Sequence, residues 1–135
     1  ALKLLAEKGG VVGATCINPF LKSGMASTVE DYIEAIEHMV NMLGVDHVGI
    51  GTDFTQDQPD AFWRYIGSQQ GTKFPATFTK APIENWSAYF PKRLKTPVDL
   101  PTLAPALLNR GYSNDDVSKI LGGNWMRLFR EVWVT

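Results

Sequence analysis

Val45-Asp46-His47-Val48-Gly49-Ile50-Gly51-Thr52-Asp53-Phe54 reads as a short apolar strand, His47 to Gly51, that runs into a turn and presents one carboxylate, Asp53, just past its C-terminal end. In parallel α/β proteins ligands and reacting groups gather outside the carboxyl ends of strands, where loops vary while the strands hold them rigidly. Glycines at 49 and 51 remove side chains where a neighbouring strand or a ligand comes close, and Gly44 closes the helix before the strand. The strand is then a platform for Asp53. From these residues alone two readings of Asp53 stand side by side, a site carboxylate and a simple cap of a turn or of a following helix.

Upstream of this strand, Ser27-Thr28-Val29-Glu30 has the pattern of a capping box, with Ser27 accepting from the Glu30 amide. Val29, Tyr32, Ile33, Ile36, Met39, Val40 and Leu43 then recur at three- and four-residue steps and predict an amphipathic helix up to Gly44. Before it, Val11 to Ile17 is apolar without strict alternation, as a strand buried on both faces reads, and Asn18-Pro19 ends it. Strand, helix, strand is a βαβ unit, parallel and right-handed. Ala1 to Lys8 has the look of a helix already under way, closed by Gly9-Gly10, which gives the expectation of a piece of something longer.

Downstream, residues 55–99 form a long stretch in which Gly71, Pro75, Pro82, Pro91 and Pro97 forbid any long regular element, with a short helix expected over Ala61 to Ile66. The stretch carries Trp63, Phe74, Phe78, Trp86, Tyr89 and Phe90. It reads either as a lid or wall or as a surface excursion pinned by its own aromatics. Leu100-Pro101 opens a helix that Gly111 ends, Ser113 caps another, and Gly122-Gly123-Asn124 interrupts it before Trp125 to Val132 resume a helical face.

The 135 residues suffice for one core. A net charge of −1 argues against a nucleic-acid surface, which needs a concentrated excess of Lys and Arg. No apolar run approaches the roughly 20 residues of a membrane span. The single Cys16 excludes an internal disulfide framework, and Cys16, His38 and His47 have no metal-ligand spacing, so the chain offers no zinc site of its own. The expectation is a soluble protein, with cytoplasm and periplasm both open.

Three stretches carry a resemblance: Gly9-Gly10-Val11-Val12-Gly13 followed by Asn18-Pro19-Phe20, then Asp46 to Phe54, then Gly122-Gly123-Asn124-Trp125-Met126-Arg127-Leu128-Phe129. Together they resemble the C-terminal third of the membrane dipeptidase (renal dipeptidase, M19 peptidase) family, and the resemblance spans essentially the whole chain. It implies an α/β chain forming the C-terminal part of a (β/α)₈ TIM-type barrel: the seventh strand, its helix, the eighth strand and the closing helices. It implies zinc-dependent hydrolysis of dipeptides or related small amides, with two zinc ions in the intact enzyme. Their ligands, a His-x-Asp pair, a bridging Glu and two later histidines, are expected upstream of this chain, as is a substrate-binding Arg. Asp53 matches the family's active-site aspartate, by the metal-bound water and the substrate amine. Phe20 falls where relatives often carry a substrate-contacting Tyr, so the ring is kept and the hydroxyl lost. After Asp53 the family pattern Phe-Asp-Gly is replaced by Phe54-Thr55-Gln56. Asn124 matches a C-terminal asparagine, read as an interhelix cap. The partners implied are a small peptide or amide substrate and the upstream part of the same barrel, and a homodimer is compatible with the sequence. Two rivals are a non-catalytic member or fragment acting in binding or assembly, and a phosphate-binding barrel.

Overall fold

Two strands, β1 (Val12–Ala14) and β2 (Val48–Ile50), pair in parallel with Val12 opposite Val48, Gly13 opposite Gly49 and Ala14 opposite Ile50. The structure is a computed structural model that describes residues 1–54, 58–59, 61–62 and 86–133. Helix α1 (Leu2–Glu7) precedes β1, and α2 (Val29–Leu43) makes the crossover to β2. The strand, helix, strand order is as the sequence predicts, but both strands are shorter. Cys16 and Ile17 are buried outside the ladder, and Val45–His47 is a 3₁₀ turn leading into β2. An apolar run reports burial, and burial here extends past the backbone pairing.

The cap of α2 sits one residue later than expected. Asp31 Oδ2 accepts from the Thr28 amide at 2.8 Å and from the Thr28 hydroxyl at 2.9 Å, which makes Thr28 the N-cap. Ser27 instead donates its hydroxyl to Gly24 O at 2.7 Å, closing the preceding 3₁₀ turn, and is buried there. Two more boxes of the same kind follow, Thr96 with Asp99 and Ser113 with Asp116.

These caps predict an acid dependence. The Ser23 hydroxyl, followed by the Thr28 amide and hydroxyl, holds the Asp31 carboxyl down at about 2. Asp99 is lowered by the Lys95 and Thr96 amides, and Asp116 by the Ser113 side chain and amide. A folded-state value below the unfolded one stabilises the fold fully above the ordinary carboxylate value. That contribution is lost as pH falls through the ordinary value toward the folded one. The urea midpoint is therefore expected to fall between about pH 4 and pH 2, and less so in Asp31→Asn. An equally steep fall in the variant contradicts this assignment.

The buried residues of α2, Tyr32, Ile33, Ile36 and Leu43, face the strands and helix α3 (Leu103–Asn109), whose own Leu103 and Leu107 are fully buried. Residues Pro97–Thr102 form a 3₁₀ segment, so Pro101 lies inside it and the α-helix starts two residues later than the Leu100-Pro101 signal suggests. Gly111, at φ 91°, follows α3, and Ser113 Oγ accepts from the Asp116 amide at 3.1 Å to start α4 (Asn114–Ser118). A π-type turn, Lys119–Gly123, joins α4 to α5 (Asn124–Val132). Ala61 and Phe62 are helical as expected, whereas Trp63 to Ile66, Phe74 and Phe78 lie outside the described residues. Among the described residues no helix is long and apolar enough to cross a membrane.

Candidate active site

Asp53 stands just beyond the C-terminal end of β2, exposed, with φ at 60°. That left-handed backbone is uncommon for a residue with a side chain, and Asp and Asn are the types that tolerate it most readily. Among the described residues its carboxylate makes no hydrogen bond or ion pair.

The glycines before it serve the protein's own packing. A Cβ on Gly51 would meet Gly13 Cα at 2.9 Å, so the two backbones approach at the mouth because neither carries a side chain. A Cβ on Gly49 would collide with the Trp125 indole, whose Nε1 donates to Ile50 O at 2.9 Å. The close neighbours are therefore a strand for Gly51 and helix α5 for Gly49.

Beneath Asp53 lies a small buried polar layer. Ala14 O accepts from the Gly51 amide at 2.9 Å and from the Tyr32 hydroxyl at 2.8 Å. Cys16 Sγ donates to Thr52 O at 3.2 Å. Burial pushes the Cys16 thiol up to about 12, with the Asp53 charge adding to the rise, so the sulfur is a protonated donor at neutral pH and no nucleophile. Burial raises the Tyr32 phenol as well. Sequence reasoning placed Tyr32 only in an apolar stripe and Cys16 only in a strand. The available signal was that a buried Tyr hydroxyl needs an acceptor.

One side of the mouth is walled by the segment after the undescribed residues. Phe54 packs edge-to-face on Phe90, ring centroids 5.0 Å apart, and Asn18 Nδ2 donates to Ala88 O at 3.2 Å. Asn18 is 2% exposed, and its Oδ1 has no hydrogen-bond partner among the described residues. The sequence read Asn18 only as a strand terminator. A polar residue next to proline gives no hint of a long-range partner.

Phe20 is 60% exposed and lines a shallow groove of about 370 Å³ with Ala14, Thr15, Leu21, His38 and Met39. Asp53 does not line that groove. His38 is exposed on α2, and His47 Nδ1 lies 2.9 Å from Gly10 O at the opposite end of β2 from Asp53. Among the described residues no three His, Cys, Asp or Glu side chains come together as metal ligands.

At that opposite end, Asn124 Nδ2 donates to Val45 O at 2.7 Å and to Val48 O at 2.8 Å. Asn124 thus ties α5 to the entry of β2, which corrects its reading as a cap between helices. Its partners are carbonyls of a turn and a strand, and a helix N-terminus has amides to cap. Arg127 adds bonds to Gly9 O at 3.0 Å and Asp46 O at 2.9 Å.

The family model Membrane dipeptidase (Peptidase family M19) matches residues 1–63 and 85–134. Dipeptidase tcpJ of Claviceps purpurea (strain 20.1) is 30% identical over 133 residues, covering 97% of this chain and 24% of that protein. A solved amidohydrolase from Pseudomonas aeruginosa superposes with a TM-score of 0.80 at 40% identity, over 98% of this chain and 39% of that one. A metallopeptidase from Rhodobacter sphaeroides, solved with a phosphinate mimic of the dipeptide L-Ala-D-Ala, superposes with a TM-score of 0.66 at 23% identity, over 98% of this chain and 30% of that one. The chain therefore spans only about a quarter to two fifths of the length of these relatives.

Proposed function

This chain belongs to the membrane dipeptidase family, peptidase family M19, and from that premise we propose that it supplies the proton-carrying carboxylate, Asp53, of a metal-dependent hydrolase of dipeptides or related small amides. Residues 1–135 would form the C-terminal portion of a single (β/α)₈ barrel, with β1 and β2 as its last two strands. The observation that carries the reading is the placement of Asp53: exposed past the carboxyl end of a parallel strand, in a left-handed conformation, with its carboxylate uncommitted among the described residues.

In the hydrolysis, the Asp53 carboxylate takes a proton from the water that attacks the amide carbon and returns it to the departing nitrogen. A C–O bond forms as the C–N bond breaks. Phe54 and Phe90, edge to face beside Asp53, wall the site on one side. Phe20 offers an exposed ring for apolar contact with the substrate. The residues of this chain do not fit the metal that a metallopeptidase family implies: no three candidate ligands converge among those described, and the Cys16 thiol is buried and protonated. Two zinc ions, with ligands in the remainder of the barrel, are the expectation.

Metal analysis tests this arrangement. The full-length protein is expected to hold zinc through gel filtration, whereas the 135-residue chain alone retains well under one zinc per chain and hydrolyses no dipeptide. Tight stoichiometric zinc on the isolated chain would overturn the proposed division of the site. A full-length protein that is folded, metal-free and unable to bind zinc would favour a role in binding or assembly instead.

A further inference from the structure

We infer that Tyr32 and Cys16 are positioning residues for Asp53: two side chains, one from α2 and one from the segment after β1, hold the backbone on which that carboxylate stands. The inference rests on the reading of Asp53 as the proton carrier and deepens it.

Asp53 sits at a φ of 60°, sparsely populated even by Asp, so the turn that carries it gains from groups that hold it. The holding groups are both below it. Cys16 Sγ donates at 3.2 Å to Thr52 O, the carbonyl of the peptide whose nitrogen belongs to Asp53. Fixing that peptide plane fixes the axis about which the unusual φ is set. One residue earlier, the Gly51 amide is bonded to Ala14 O at 2.9 Å, and the same oxygen takes the Tyr32 hydroxyl at 2.8 Å, so both of its lone pairs are used. The two bonds thus brace consecutive residues of the turn against the end of β1. Gly13 and Gly51 allow the close approach that brings the donors within reach.

Neither side chain can meet the substrate, since Tyr32 and Cys16 are both fully buried. The thiol stays protonated at neutral pH, which keeps it a donor, and the Asp53 charge is felt at the sulfur, as expected for groups on one side of the turn. Buried donors of this kind place a reacting group to within a few tenths of an ångström, and losing them shows in turnover before it shows in binding.

The test uses the full-length protein with a dipeptide substrate and four variants, Cys16→Ala, Cys16→Ser, Tyr32→Phe and Asp53→Asn, with Leu107→Val as a core change away from the turn. Cys16→Ala and Tyr32→Phe are expected to lower kcat about tenfold each with KM held within about twofold. Cys16→Ser, which keeps a donor, recovers most of the loss. Leu107→Val lowers the unfolding midpoint and leaves kcat of the folded protein unchanged. Full kcat in Tyr32→Phe and Cys16→Ala alongside an inactive Asp53→Asn overturns the positioning role and leaves the proton-carrier reading standing. A raised KM with unchanged kcat also overturns it, as a binding effect. Full activity in Asp53→Asn overturns the underlying reading, and the inference with it.

Discussion

Asp53→Asn in the full-length protein is expected to lower kcat on dipeptides by about 10²- to 10⁴-fold, the range for loss of a positioned proton carrier, with metal content unchanged. The substitution is close to isosteric, and Asn tolerates a left-handed φ as well as Asp does, so the turn at 60° survives it. Among the described residues no hydrogen bond or ion pair is broken, so the change is chemical and local. An amide oxygen is too weak a base to take a proton from water, and the transfer to the leaving amine has no carrier. Steady-state kinetics paired with metal analysis reads the effect, and a variant with wild-type kcat would remove Asp53 from the mechanism.

Asn124→Ala is expected to be the more damaging change to the fold, lowering the unfolding free energy by about 2 kcal/mol. The side chain is 3% exposed and gives both its Nδ2 protons to backbone carbonyls, the half-buried Val45 O at 2.7 Å and the buried Val48 O at 2.8 Å. Truncation removes two bonds; Val45 O keeps the Val48 amide, so the buried Val48 O bears most of the loss, at about 1–3 kcal/mol for a buried group deprived of a partner. Asn124→Asp should be no milder, because a carboxylate oxygen would face two carbonyls with no proton between them. Urea unfolding measures both, and a loss under about 0.5 kcal/mol for Asn124→Ala, the scatter of ordinary surface changes, would show that α5 is not tied to β2 through this residue.

The parallel βαβ unit was legible because two apolar runs flank one three-four stripe, and those periods leave little freedom in how Val29 to Leu43 can pack. Asp53 was legible as a position, since a lone carboxylate after an apolar run with two glycines marks the end of a strand. Its support was not. Tyr32 sits in the stripe as any large apolar residue would, and what its hydroxyl does depends on a carbonyl 18 residues away. Cys16 and Thr52 are 36 residues apart and meet only because the strands lie side by side. Asn18 and Ala88 are 70 apart, and Asn124 reaches back 76 residues to Val48, so neither contact leaves a local pattern to read. The cap of α2 slipped by one residue because Ser27 and Thr28 are both competent N-caps. The choice is made by Gly24 O, which takes the Ser27 hydroxyl into the preceding turn. The glycines in and just past β2, Gly49 and Gly51, were read correctly as close approaches, but only the fold distinguishes a facing glycine, Gly13, from an indole ring, Trp125.

The measurement that bears most directly on the central claim is release of free amino acids from a panel of unmodified dipeptides by the full-length protein, assayed metal-loaded and after chelation. Turnover of at least one dipeptide is expected, lost on chelation and restored by added zinc. A folded, metal-loaded protein that leaves every dipeptide intact would contradict it.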